Sequence, residues 1–306
     1  MAKSTLVSMY FNIKNLPDTS DAVRPIEFYL EKGKALLALD NPLVFFCDSK
    51  TQPLIEDMRK ELAPSAKTIY IVKDLVDYDF YYLNWPIIQK NRGSTYNNNR
   101  NTSSYFILTM FKFLALQIAQ QRNDFGSSHY TWIDFGASHI APKNFTEAAL
   151  KMLHEPYQKI AVTYINYRSS EELRVLPQVG GWCGIAATAF TCEKMYIPEF
   201  YSECMSIFYQ QLSSGLGHAE EQVMTYCYDR KPHLFTLIYG DYYSVLTNYH
   251  EPIYDYACIK CHFIDNALKA KRKDLAIPVI QKLLKLNDSG RIKLPDPEVQ
   301  ALLSTL

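Results

Sequence analysis

The sequence carries no net charge: 32 Lys and Arg stand against 32 Asp and Glu in 306 residues. Without a global field nothing draws the chain to a nucleic-acid backbone or an anionic bilayer, so a charged ligand must be met by a local site. A long apolar run is also missing. The longest, Tyr105 to Ala119, is interrupted by Lys112 and falls short of the roughly 20 residues that span a bilayer, so it reads as a buried helix. The N-terminus leads directly into a strand pattern, with no basic stretch, apolar stretch and small-residue cleavage site, so no signal peptide is expected. The seven cysteines are odd in number and scattered, which predicts reduced thiols in a cytoplasmic protein and no disulfide framework. The sequons at Asn101 and Asn144 are then chance matches.

Several catalytic signatures are absent too. There is no phosphate-binding loop, no H-E-x-x-H zinc helix and no G-x-S-x-G elbow, which removes nucleoside triphosphatase, zinc hydrolase and elbow-type acyl-transfer chemistry. Asp134-Phe-Gly136 matches a kinase triplet, but the Gly-rich loop, strand lysine and catalytic loop that should precede it are missing. Cys258-Ile-Lys-Cys261-His262 matches the haem-attachment pattern, yet it has neither an export route nor a second cysteine pair at zinc spacing; it reads as two thiols on a helix.

What the chain does have is length for one large domain or two small ones, and an aromatic surplus of 23 Tyr, 16 Phe and 3 Trp. Thr5 to Ile13 reads as a first strand, Ile26 to Leu39 as a helix, and Leu43 to Cys47 as a strand apolar on both faces, the mark of a covered parallel sheet. A helix over Leu54 to Leu62 and a strand over Thr68 to Val72 complete βαβαβ. Asn91 to Asn101 is polar and turn-rich, and a long helix follows it to about Arg122. Tyr130 to Asp134 is a strand ending in a carboxylate. Ile160 to Asn166, a Gly180-Gly181-Trp182-Cys183-Gly184 turn, helices near 198–212 and 218–228, and Leu234 to Tyr239 continue the alternation. From about Asp255 the pattern is helical, so the expected division is an α/β domain over 1–254 and a helical extension over 255–306.

Asp134 is the leading site candidate, because open α/β sheets bind ligands beyond the carboxyl ends of their strands; the competing role is to cap the following turn. Lys112, inside an apolar helix, is either a snorkelling surface cation or a cation facing the site. Glu220 and Glu221 open a helix, where acidic residues suit the dipole or serve catalysis. His250 could supply an imidazole or be a structural histidine.

Taken in order, Leu6 to Ile13, Arg24 with Phe28 and Tyr29, Asn41 to Asp48, Asn101 to Tyr105 leading to Lys112, Tyr130 to Gly136, and Gly180 to Gly184 resemble the HtrL/YibB family of GT-A-like glycosyltransferases. The resemblance spans most of the chain. It implies an α/β fold with a mixed sheet flanked by helices, and a role in surface-polysaccharide synthesis. It implies that Tyr10 and Phe11 flank the nucleotide base, that Asp48 accepts a hydrogen bond from it, and that Asp134 holds a divalent metal, Mn²⁺ or Mg²⁺, on the diphosphate. The second Asp of the usual Asp-x-Asp pair is Gly136, so His250 would have to complete the shell, or Lys112 or Arg100 would replace the metal. Gly180, Gly181 and Trp182 would lie against the donor sugar and acceptor. Glu220 or Glu221 would deprotonate the acceptor in an inverting transfer.

The expected function is transfer of a sugar from a UDP-sugar to a saccharide or related hydroxyl acceptor. A non-catalytic sugar- or nucleotide-binding protein on the same scaffold and a glycoside hydrolase are the alternatives. Tyr78, Tyr81 and Tyr82, with Tyr239, Tyr242, Tyr243 and Tyr249, are either a carbohydrate groove or ordinary aromatic packing.

Overall fold

A computed structural model describes residues 4–19, 23–92, 102–141, 144–169, 172, 184–216, 220–249 and 256–306. Its first half is built from β1 (Ser4–Tyr10), α1 (Ile26–Leu37), β2 (Leu43–Cys47), α2 (Gln52–Leu62), β3 (Thr68–Val72), α3 (Asp79–Arg92) and α4 (Ser103–Arg122). Then come β4 (His129–Ile133), α5 (Phe145–His154), β5 (Ile160–Tyr164), β6 (Ile185–Glu193), α6 (Ile197–Ser213), α7 (Glu220–Arg230) and β7 (Phe235–Tyr239). The described C-terminal residues are helical: α8 (Tyr256–Ile259), a π-helical turn (Lys260–Ile264), α9 (Asp265–Lys269), α10 (Lys273–Asp288) and α11 (Asp296–Thr305).

The seven described strands form one sheet in the order β3-β2-β1-β4-β6-β5-β7. β1, β2, β3 and β4 run parallel, as do β5 and β7, while β6 is antiparallel to both β4 and β5. This is the mixed α/β sheet flanked by helices that the GT-A resemblance implies. The parallel pairing suggested by the doubly apolar Leu43–Cys47 is present on both sides of β2, and the mixed character comes from β6, an element the sequence pattern does not announce. Its Ala186, Ala187 and Ala189 have low strand propensity, and its strand character comes from pairing on both sides.

Alternation along the strands sends side chains to two cores. Leu6, Tyr10, Phe45 and Cys47 pack with Leu36 and Leu37 of α1, Ile55 of α2 and Ala149 and Met152 of α5. Val7, Met9, Val44 and Phe46 face the other way, onto α3, α4, α6 and the C-terminal helices. Phe263 of the π-helical turn meets Tyr164 of β5 and Tyr239 of β7, with ring centroids 5.2 and 4.9 Å away. Buried Arg59 of α2 donates to the carbonyls of Leu37, Leu39 and Asn41 at 2.5, 2.6 and 2.8 Å. It satisfies carbonyls that the end of α1 leaves open, and so fixes the entry into β2.

Several sequence-derived boundaries move by a few residues. Thr102 caps α4 by accepting from the Tyr105 amide at 3.1 Å, which starts that helix at Ser103. The turn at 180–183 and the polar segment 93–101 lie outside the described residues. Among the described residues no helix is long and apolar enough to cross a membrane.

Candidate active site

Lys112 sits in the middle of α4, whose neighbouring residues Met110, Phe111 and Phe113 are buried on the sheet. The lysine is buried with them at 1% exposure. Its Nζ donates to Glu220 Oε1 at 2.7 Å, to the Ala187 carbonyl at 2.9 Å and to Asp134 Oδ1 at 3.3 Å. An ammonium has three protons, and all three are thereby committed to protein acceptors. The snorkelling alternative is corrected: the cation turns inward because two carboxylates wait there.

Asp134 follows β4 directly, and its amide donates to the Thr188 carbonyl of β6 at 2.8 Å. Trp132, two residues back and fully buried, donates its indole N–H to Asp134 Oδ1 at 2.7 Å. Oδ1 is therefore held twice, by Trp132 and Lys112, while Oδ2 has no hydrogen-bonding partner among the described residues. The carboxylate is still 37% exposed.

Burial would push the Lys112 ammonium down, but Asp134 and Glu220 outweigh it and hold its pKa above the ordinary lysine value. Burial raises the Asp134 carboxyl above the usual aspartate value and the charge of Glu220 adds to this, against the opposing pull of Lys112. The Tyr105 hydroxyl is raised well above its usual value by burial and by Glu220, Glu221 and Asp134. Lys112 is thus a fixed cation that orients two carboxylates, and Asp134 is a carboxylate whose ionised form is disfavoured.

Asp134 opens onto a cavity of about 380 Å³ at the carboxyl ends of β1 and β4, the location at which open α/β sheets take ligands. Tyr10 and Phe11 at the end of β1 line it with Tyr29 of α1, Tyr105 of α4 and Tyr242. The Tyr10 ring lies 5.3 Å from Tyr29 and 5.5 Å from Phe135. The polar lining includes Arg24, Lys112, Asp134, His139, Thr188, Glu220 and Glu221. An aromatic wall facing convergent charged groups suits a ligand with a flat apolar part and a polar, ionised part.

With this geometry in view, the family model described as "Bacterial protein of unknown function (HtrL_YibB)" matches residues 2–250. The chain belongs to the HtrL_YibB family. No curated protein matches the sequence. Among solved structures, this HtrL_YibB chain is similar to mouse xyloside xylosyltransferase 1 in its apo form, at 13% identity and a TM-score of 0.44, over 76% of this chain and 84% of that one. It is also similar to 4-diphosphocytidyl-2C-methyl-D-erythritol synthase from Anaerococcus prevotii DSM 20548, at 10% identity and a TM-score of 0.37, over 88% of this chain and 99% of that one.

Of the residues singled out from the sequence of this HtrL_YibB protein, Tyr10, Phe11, Lys112, Asp134, Glu220 and Glu221 are brought together at the cavity. Asp48 is not part of its lining. Its carboxylate accepts from the backbone amides of Asn12, Lys50 and Thr51 at 2.9, 3.1 and 2.8 Å, so it ties the loop after β1 to the start of α2. Arg100, Gly180, Gly181, Trp182 and His250 lie outside the described residues. Of the two tyrosine readings, packing is the one found for most of the set: Tyr78, Tyr81 and Tyr249 are buried in the cores, Tyr239 packs on Phe263, and Tyr82 and Tyr243 are surface residues away from the lining. Tyr242 alone of that set reaches the cavity.

The donor set for a divalent metal is thin. Among the described residues no three His, Cys, Asp or Glu side chains are grouped to hold an ion, and one oxygen of Asp134 is already bound by an indole and an ammonium. A Cβ at Gly136 would lie in tight contact with Tyr29 Cδ1 at 3.3 Å and in ordinary contact with His139 Nδ1 at 3.7 Å. The described residues therefore do not fit a metal shell, and no chemical step is assigned to one.

Arg24, Tyr29, Tyr105, His139 and Thr188 are cavity residues that the sequence reading did not assign to the site. The available signal was the short turn from Gly136 to His139 directly after Asp134, which stays at the carboxyl edge of the sheet.

Proposed function

We propose that this protein is a transferase that moves a sugar from a nucleoside diphosphate donor, a UDP-sugar, to a hydroxyl of a saccharide acceptor. The observation that carries this reading is the Asp134 carboxylate, locked through one oxygen and open through the other, at the mouth of an aromatic-lined cavity beyond β1 and β4. Tyr10, Phe11 and Tyr29 offer flat faces to a base or a sugar. Lys112 and Trp132 fix the rotamer of Asp134, so its Oδ2 is oriented before a ligand arrives.

The proton balance follows from the same arrangement. The acceptor hydroxyl gives its proton to Asp134 Oδ2, its oxygen bonds to the anomeric carbon, and the bond from that carbon to the diphosphate oxygen breaks with the electron pair leaving on the diphosphate. The raised pKa of Asp134 makes it a better base than an ordinary carboxylate. Glu220 is the weaker choice for this role because its Oε1 is held by Lys112 at 2.7 Å. Glu221 also lines the cavity and is the second carboxylate to test.

The test is incubation with a panel of UDP-sugars and saccharide acceptors, with and without Mn²⁺, following UDP release. Release that depends on Asp134 is the expected result. Binding of UDP without turnover supports the non-catalytic alternative, and cleavage of aryl glycosides with indifference to UDP supports a hydrolase.

A further inference from the structure

The cavity lining is rich in carboxylates, and Lys112 is consumed by two of them. Arg24 is the other cation of the described lining, and it has no carboxylate partner among the described residues. Arg24 Nη1 lies 2.8 Å from His139 Nε2. A guanidinium only donates, so Nε2 must accept, and the imidazole proton sits on Nδ1, which donates to the Gly136 carbonyl at 2.5 Å. The tautomer of His139 is fixed at both ends. On its face the guanidinium is supported by Phe28, with its carbon 4.4 Å from the ring centroid. Arg24 is thus aimed by an acceptor and an aromatic face, and it makes no other hydrogen bond among the described residues. One of its five N–H donors is used, and the rest of the fork remains available to a ligand.

We infer that Arg24 binds the phosphates of the nucleoside diphosphate in this cavity, with His139 and Phe28 as its positioning residues. The inference rests on the nucleotide reading of the site and adds the place where the anionic end is held. A half-buried guanidinium with free, coplanar donors matches a phosphate in charge and in geometry, and it is free to act where the fully committed ammonium of Lys112 is not. His139 belongs to the turn that begins at Asp134, so the anion clamp and the carboxylate are carried on one short segment.

The test is calorimetric binding of uridine, UDP and inorganic pyrophosphate to the full chain and to R24Q and R24K, with thermal unfolding as a check on folding. The expected result is that R24Q weakens UDP by about tenfold or more and leaves uridine unchanged, because only the phosphate contact is lost. R24K, which keeps charge but not the fork, should fall between. Equal UDP affinity in wild type and R24Q overturns the assignment, as does an equal loss for uridine and UDP. Wild type that binds pyrophosphate but not UDP, with R24Q losing the pyrophosphate, keeps Arg24 as the anion site and overturns the nucleotide reading. Wild type that binds neither UDP nor pyrophosphate overturns both.

Discussion

Lys112 and Glu220 are 108 positions apart in sequence and joined by a 2.7 Å hydrogen bond in the folded chain. The contact fastens the start of α7 to the middle of α4, with Asp134 on the same ammonium. It links the two helices to the carboxyl end of β4, so a single buried cation sets the relative positions of Asp134 and Glu220.

Lys112→Met tests that role. The methionine keeps most of the stem volume but leaves Glu220 buried without its cation, a change that costs about 3–5 kcal/mol. Urea denaturation should show the loss as a lower midpoint, and adding Glu220→Gln should recover much of it because the stranded charge is gone. A single variant as stable as wild type would show that the ammonium does not organise the cluster.

Asp134→Asn separates function from stability. The native state favours the neutral carboxyl of Asp134, because burial raises its pKa. Such a group lends stability below its unfolded pKa, about 3.9, and withdraws it as pH rises through the higher native value. Asn never ionises. The melting temperatures of variant and wild type should therefore coincide at the acidic end and diverge as pH rises past the ordinary aspartate range, with the variant the more stable. Turnover should drop by about 10²-fold or more in the same protein. A melting temperature that falls below wild type at neutral pH would mean that the ionised carboxylate stabilises the fold.

Gly33→Ala probes the packing behind the site. Gly33 is buried in α1, and a Cβ there would overlap the Phe135 ring. Phe135 cannot swing aside easily, since Tyr10 and Phe45 flank it at 5.5 and 5.3 Å. Alanine would ordinarily favour a helix by roughly 0.5–1 kcal/mol over glycine. Overpacking a core costs about 1–3 kcal/mol, so the clash should win. Chemical denaturation should show net destabilisation, and Phe135→Leu in the same chain should relieve it.

The fold could be read from the sequence where side-chain pattern alone decides the element. Leu43–Cys47 and Thr68–Val72 are short apolar or β-branched runs bounded by turn residues, and both strands form at those bounds. β6 escapes because Ala186, Ala187 and Ala189 weaken its strand signal and its place depends on two partners distant in sequence. In the site, Asp134 stood out as a carboxylate at a strand end and Lys112 as a cation in an apolar helix. Arg24 and His139 did not, since each is ordinary in its own segment and acquires meaning only from a contact across 115 positions. The tyrosine surplus leaves a groove and ordinary packing both open for the converse reason. Composition cannot say which rings face a core, and Tyr78, Tyr81 and Tyr249 do.

Gly136→Asp would restore the spacing of an Asp-x-Asp pair, and the surroundings say why it should not restore a metal site. The new Cβ would meet Tyr29 Cδ1 at a tight 3.3 Å and His139 Nδ1 at 3.7 Å, and the carboxylate beyond it is expected to press on one of the two. His139 Nδ1 is already bound to the Gly136 carbonyl and its Nε2 to Arg24, so moving the ring would release the guanidinium. The expected outcome is a stability loss of about 1–3 kcal/mol, as for other overpacked sites. UDP affinity should fall and Mn²⁺ should bring no gain in turnover. Calorimetry and UDP-release assays with and without Mn²⁺ read both effects. A Mn²⁺-dependent rise in activity in this variant would mean that Tyr29 and His139 yield to the carboxylate, and that only the missing side chain keeps a metal from this site.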